Sequence, residues 1–212
     1  MNRQSCFAAV IVSGVFGIAC DPPARELPPV VSAPWDRARI DTLLQYGRDD
    51  QQGRHALAQA AVAQDTSVLL ATMQADSLRT RWLRDAVARH GWPVRATTSD
   101  TAANAAWLIL QHSPDTAWQA AMLPELERLG RAGELPLSDL ALLTDRIRMH
   151  RGQLQRYGSQ FNVVDGRLVP APTESLPGLD ARRAAMGLPP MSEYVRMLSE
   201  QTKLPVTWPP ES

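Results

Sequence analysis

Cysteine is nearly missing from this chain. Of 212 residues only Cys6 and Cys20 are cysteine, and both fall within the first twenty positions. From Asp21 onward there can be no disulfide, no thiolate metal site and no cysteine nucleophile. An excess of either charge is also missing, because Lys plus Arg and Asp plus Glu are 22 each. That balance gives no field to draw in a polyanion, so nucleic acid is not an expected partner. Phe and Tyr are scarce, three of each, against six Trp. Indole combines a large apolar body with one N–H donor and suits cores and ligand pockets alike. The apolar run Cys6 to Ile18 is about thirteen residues long, short of the roughly 20 that a membrane-spanning helix needs.

What stands in that N-terminal region has a recognisable order. Met1 to Ser5 is short and polar with Arg3, the apolar run follows, and small residues close it. This is the order of a secretory signal peptide. Gly17-Ile18-Ala19-Cys20 resembles the lipobox of bacterial lipoproteins, in which cleavage precedes a cysteine that then carries lipid. The resemblance implies a signal peptide over 1–19 and lipidation, including palmitate, at Cys20. It also implies an exported protein anchored to a bacterial membrane, periplasmic or on the outer face. Lipidation would remove the one thiol that an oxidising compartment makes a liability. Residues 20–35 follow as a stalk, with five prolines between Asp21 and Pro34; fixed φ and missing donors favour an extended, semi-rigid chain there.

Residues 36–201 read as one mainly α-helical domain, and 202–212 as a C-terminal tail. Asp36 to Ala63 and Asp65 to His90 favour two long helices, the second closed by Gly91 and Pro93. Asp100 or Thr101 caps a third, Ala-rich helix that reaches His112. Ser113-Pro114 reads as the cap and first position of a fourth, with a kink or restart at Pro124. Ser138 caps a fifth over Asp139 to Arg151, where Leu137, Leu140, Leu143 and Ile147 face opposite Leu142 and Met149. Asp145 and Arg146 then project between two apolar stripes. The pair Asp165-Gly166 predicts a short two-stranded β-hairpin in the C-terminal third. Asp180 to Gly187 and a segment capped by Ser192 complete the helices.

Five blocks stand out in order: His90-Gly91-Trp92-Pro93, Ala105-Ala106-Trp107-Leu108 with Gln111-His112, Leu143-Thr144-Asp145-Arg146, Gln155-Arg156-Tyr157-Gly158-Ser159-Gln160, and Asp180-Ala181-Arg182-Arg183 with Gly187-Leu188-Pro189. On these, the stretch from Gln51 to Leu198 resembles the bacterial family called domain of unknown function 6624. Ser159 replaces the Thr usual in that family and keeps the hydroxyl. The resemblance implies a shared fold and carries no established activity.

Three functions use these residues differently. As a binding module, Arg146 and Arg156 offer forked donors, Gln111, Gln155 and Gln160 paired polar groups, and Trp92, Trp107 and Tyr157 stacking surfaces. Glycan, peptide or protein ligands suit an anchored envelope protein. As a hydrolase-type enzyme, His90, His112 and Asp145 would act with the Ser159 hydroxyl. As a structural clasp, Asp145 would pair with an arginine such as Arg156 and lock helix to hairpin. No cofactor is expected. No metal site is expected either, since the histidines are isolated and no thiol is available.

Overall fold

A computed structural model describes residues 34–63 and 66–209. The signal peptide, Cys20 and nearly all of the stalk lie outside the described residues. The described residues are mainly α-helical, with seven helices and one two-stranded antiparallel sheet among them. No described helix is long and apolar enough to cross a membrane. The chain separates into two compact units, one running to Leu135 and the other starting at Pro136.

The N-terminal unit holds α1 (Arg37–Ala63), α2 (Thr66–His90), α3 (Asp100–Gln111) and α4 (Thr116–Arg131). Helices α1, α2 and α3 pack on one another. Close packing of α1 on α3 follows from small residues. Ala102, Ala105 and Ala106 are buried, and a Cβ added at Gly47 would sit 2.6 Å from the Ala105 Cβ. Replacing Gly47 with Ala should therefore destabilise this unit by about 2 kcal/mol through overpacking, against the usual gain from Gly to Ala in a helix. Chemical denaturation of the variant reads this directly. An aromatic group closes the other end, with Tyr46 edge-on to Trp82 at 5.2 Å and Trp35 6.3 Å from Trp82. The Trp35 indole N–H donates to the Gly91 carbonyl at 3.1 Å, which ties the chain before α1 to the end of α2.

Helix boundaries differ from the sequence reading where two capping residues compete. Ser99, rather than Asp100, caps α3. Asp115, rather than Ser113, caps α4, its carboxylate accepting from Trp118 N–H at 2.8 Å. The Ser113 hydroxyl instead accepts from Asp115 N–H, so the chain turns once more after Pro114 before the helix starts. Pro124 neither restarts nor ends α4, which runs through it. Pro124 is exposed, so the carbonyl one turn earlier that loses its donor lies on the solvent side. The turn between α3 and α4 is fixed by buried Gln119, whose amide donates to the carbonyls of Leu110, Gln111 and Ser113. Those carbonyls belong to the last turn of α3 and to the link that follows it.

The C-terminal unit holds α5 (Leu137–His150), β1 (Phe161–Val164), β2 (Arg167–Pro170), α6 (Leu179–Ala185) and α7 (Met191–Thr202). Helix α5 starts after Pro136 with no side-chain cap, so Ser138 lies inside it. Helix α7 likewise follows Pro190 rather than a Ser192 cap. Pro supplies a φ already suited to helix entry. The Met191 N–H finds the Asp180 carboxylate at 2.8 Å instead of a local cap. The hairpin pairs Phe161 with Pro170 and Val164 with Arg167. Asp165 and Gly166 both have positive φ, the condition for a type I′ turn. A two-stranded ribbon is marginal alone. Here Phe161 and Leu168 pack with Leu179, Met191, Tyr194 and Leu198, and Leu204, Val206 and Trp208 cover the cluster. The tail to residue 209 is thus part of this core. It runs beside β2, with Leu168 N–H donating to the Pro205 carbonyl and Thr207 N–H to the Leu168 carbonyl.

Candidate functional site

The block Gln155-Arg156-Tyr157-Gly158-Ser159-Gln160 forms the link between α5 and β1, and its backbone is held from inside the unit. Asp145 on α5 is fully buried. One of its oxygens accepts from Arg156 N–H at 2.6 Å and Tyr157 N–H at 3.0 Å; the other accepts from Ser159 N–H at 3.0 Å. Burial pushes this carboxyl above the usual carboxylate range, and the three amides oppose that shift. Asp145 therefore binds the loop through backbone N–H groups, and the Arg156 guanidinium is not its partner in the clasp. Gly158 has φ +65°, and a Cβ there would approach the Met191 sulfur at 3.3 Å. Both the turn and the close packing call for glycine.

Glutamines do the same work on the other side of the loop. Buried Gln155 donates to the carbonyls of Gln160 and Ala171 and accepts from Gln160 N–H at 2.8 Å. Its own N–H donates to the Pro172 carbonyl, and its carbonyl accepts from Glu174 N–H. Gln160 reaches the Leu142 carbonyl on α5 and the Ser159 hydroxyl. That hydroxyl also lies at hydrogen-bonding distance of Asp145, so its described partners are a carboxyl and an amide rather than a histidine.

Two residues without a role in the sequence reading complete the arrangement. Arg183 on α6 is fully buried. Its Nε donates to the Pro189 carbonyl and an Nη to the Tyr157 carbonyl, at 2.7 and 2.6 Å. Its guanidinium lies 4.6 Å from the centre of the Tyr194 ring, and the Tyr194 hydroxyl donates to the Ser159 carbonyl at 3.0 Å. Burial lowers the Arg183 pKa, while Tyr194, Asp180 and Asp145 act in the other direction. Nothing in Asp180-Ala181-Arg182-Arg183 marks which arginine turns inward, because the choice depends on how α6 rolls against α7.

The remaining candidates divide between the two units. Arg156 is exposed and Tyr157 half-buried, with the guanidinium 5.9 Å from the ring centre. Arg146 is buried. In the N-terminal unit Trp92, Trp107 and Gln111 are buried. His90 lies half-buried with its ring 5.8 Å from Trp35. His112 caps the end of α3 and meets Asp50 of α1, a residue to which the sequence analysis gives no role. Among the described residues no three His, Cys, Asp or Glu side chains form a metal-ligand group.

Beside the hairpin lies an open groove of 570 Å³ lined by Val164, Val169, Pro170, Pro172 and Leu176, with Asp165, Arg167, Thr173 and Thr207 supplying polar groups. One wall, 171–173, belongs to the segment that Gln155 holds. Elsewhere in the unit Asp139, in the first turn of α5, is pushed by burial up to about 7. A carboxyl whose folded pKa is raised favours the folded state below its unfolded value and loses that advantage as pH rises from about 4 to about 7. The Asp139 side chain keeps some solvent contact, so the cost at pH 8 should be about 1–2 kcal/mol rather than the full linkage value. Asp139→Asn should therefore gain stability over the native chain as pH rises, with melting curves at pH 4 and 8 as the measurement.

Comparison with known proteins adds one match. No curated relative and no solved structure matches the chain. The model of a family of unknown function, DUF6624, matches residues 39–207. That span takes in both units and nearly all of the described residues, and the chain therefore belongs to the DUF6624 family.

Proposed function

We propose that this protein is a binding module displayed at a bacterial cell envelope from a lipid on Cys20, and that its ligand is an extended peptide segment. The observation that carries the reading is the groove beside the hairpin, whose wall is fixed by the buried amide of Gln155. An apolar cleft with a few polar groups on a rigid frame is the usual form of a ligand site. Its lining residues include no aromatic ring on which a sugar would stack, which favours peptide over glycan. Val164 and Leu176 are exposed large apolar residues in its lining, and Arg167 offers a charge for a peptide carboxylate. On this reading the buried motif acts as a clasp that shapes the binding surface. The hydrolase alternative has less support, since the Ser159 hydroxyl is engaged by Gln160 and Asp145.

Native purification followed by mass spectrometry of co-purifying peptides tests the proposal. Peptides should accompany the native chain and be lost from Leu176→Asp, a change at an exposed position that leaves the core intact. An identical set of peptides on both proteins would remove the groove from consideration.

A further inference from the structure

The N-terminal unit contains a second polar cluster that the groove does not use. Helix α1 supplies Asp50 and Arg54, α2 supplies Asp76 and Arg79, and α3 ends on His112. Asp50 is fully buried, and its two oxygens lie 2.9 and 3.0 Å from His112 Nδ1. Gln51 donates to Asp50 at 2.9 Å, and an Arg54 Nη stands 3.5 Å away. The same Arg54 nitrogen bonds Asp76, whose other oxygen accepts from Arg79 at 2.8 Å. A continuous seam results, Arg79–Asp76–Arg54–Asp50–His112. Burial raises the Asp50 pKa, but His112, Arg54 and Gln51 outweigh that and hold the group below the usual carboxylate range.

The charges and donors of this seam do not close on themselves. An ionised carboxylate only accepts, so His112 Nδ1 carries its hydrogen, and Nε2 is the atom at which a proton arrives or leaves. Two arginines balance two aspartates while the imidazole is neutral, and protonation leaves the seam with one net positive charge. Donors are in excess as well. Arg54 Nε, Arg79 Nε and the Thr80 hydroxyl are buried and meet no partner among the described residues. Arg79 and Thr80 are only 7% and 3% exposed. Asp76 gathers both guanidinium groups on one carboxylate, so the two idle Nε–H groups belong to neighbouring forks. Thr80 stands one helical turn beyond Asp76 on the same face of α2. Buried donors without acceptors are costly, and both the surplus of donors and the sign of the charge ask for an acceptor with negative charge.

We propose that this seam is a proton-linked site for one small oxyanion, bound between Arg54 and Arg79 when His112 carries its second proton. Arg54, whose side chain keeps 25% of its surface exposed, is the point of entry. Among the described residues, His112 faces Asp50 of α1, with Arg54 of α1 and Asp76 and Arg79 of α2 behind it; Asp115, three positions further along the chain, is engaged by Arg84. Proton and anion enter together, so each must raise the affinity for the other by the same factor. The site is independent of the hairpin groove, and neither proposal depends on the other.

The test is an NMR titration of the His112 ring in the full chain, in sodium sulfate and in sodium chloride at equal ionic strength. Sulfate keeps its charge from pH 5 to 8, so only the protein titrates. Sulfate should move the His112 midpoint upward by about one pH unit, equivalent to a roughly tenfold coupling. Arg54→Gln should abolish the displacement while His112 still titrates; should that variant fold poorly, Thr80→Val serves as a milder change that should reduce it. Equal midpoints in the two salts would overturn the proposal, as would a displacement that survives unchanged in the variants.

Discussion

Asp145→Ala should cost about 4 kcal/mol and release the loop at 156–159. The side chain is fully buried and receives three backbone N–H groups, from Arg156, Tyr157 and Ser159. Hydrogen bonds to an ionisable group contribute about 1.5–3 kcal/mol each, and a buried donor left without an acceptor costs about 1–3 kcal/mol. Full addition of three such terms is not expected. The Arg156 and Tyr157 amides lie in partly buried surroundings, and water can replace the carboxyl there. Urea denaturation gives the total, and hydrogen exchange at the three amides shows where it falls. Asp145→Asn keeps an acceptor oxygen and should recover about half of the loss. If instead the alanine variant keeps native stability and slow exchange at those amides, the clasp is not what holds this loop.

Replacing Arg183 by Ala should be nearly as damaging, at about 3–5 kcal/mol, the range for breaking a buried charged arrangement. Two carbonyls, of Pro189 and Tyr157, lose their donor. Tyr194 loses the cation that lies 4.6 Å from its ring centre, and a cavity opens where the longest fully buried side chain had been. Arg183→Lys separates charge from geometry. A lysine keeps the charge but cannot direct two donors at once to carbonyls on different segments, so it should restore less than half of the loss. Asp145 and Arg183 hold the same short loop from its two sides, one through N–H groups and the other through the Tyr157 carbonyl. A double-mutant cycle should therefore show coupling of about 1–2 kcal/mol, against the near-additivity of distant sites. Arg156→Ala, at an exposed position of that same loop, should leave stability within about 0.5 kcal/mol.

These expectations place the motif residues in a role that their chemistry alone does not assign. Arg, Gln, Asp, Tyr and Ser within twenty residues suggest a site for something to bind. In the folded unit Gln155, Gln160, Ser159 and Asp145 are buried; Gln155 and Asp145 bind backbone groups, and the Ser159 hydroxyl is held by the side chains of Gln160 and Asp145. Arg156 and part of Tyr157 are what the loop shows to solvent. The clasp foreseen between Asp145 and a guanidinium is made through N–H groups instead, because a loop that bends through Gly158 at φ +65° aims three amides at one point. A backbone amide carries no mark in a sequence, so that partner was invisible.

Much of the fold follows from local pattern. The mainly helical class, the hairpin at Asp165-Gly166 and the stop at Gly91 rest on turn chemistry and helical spacing, which act between neighbours in the chain and can be read there. Family membership follows from motif blocks in order. Other features were decided only by tertiary structure. Which of Arg182 and Arg183 is buried, the union of Asp50 with His112 across 62 positions, the groove beside the hairpin, and the packing of Leu204, Val206 and Trp208 into the C-terminal core all join distant segments. The physical reason is the same in each case. Hydrogen-bond geometry and burial depend on which atoms meet after the helices pack, and spacing along a chain fixes only which side of its own helix a residue occupies.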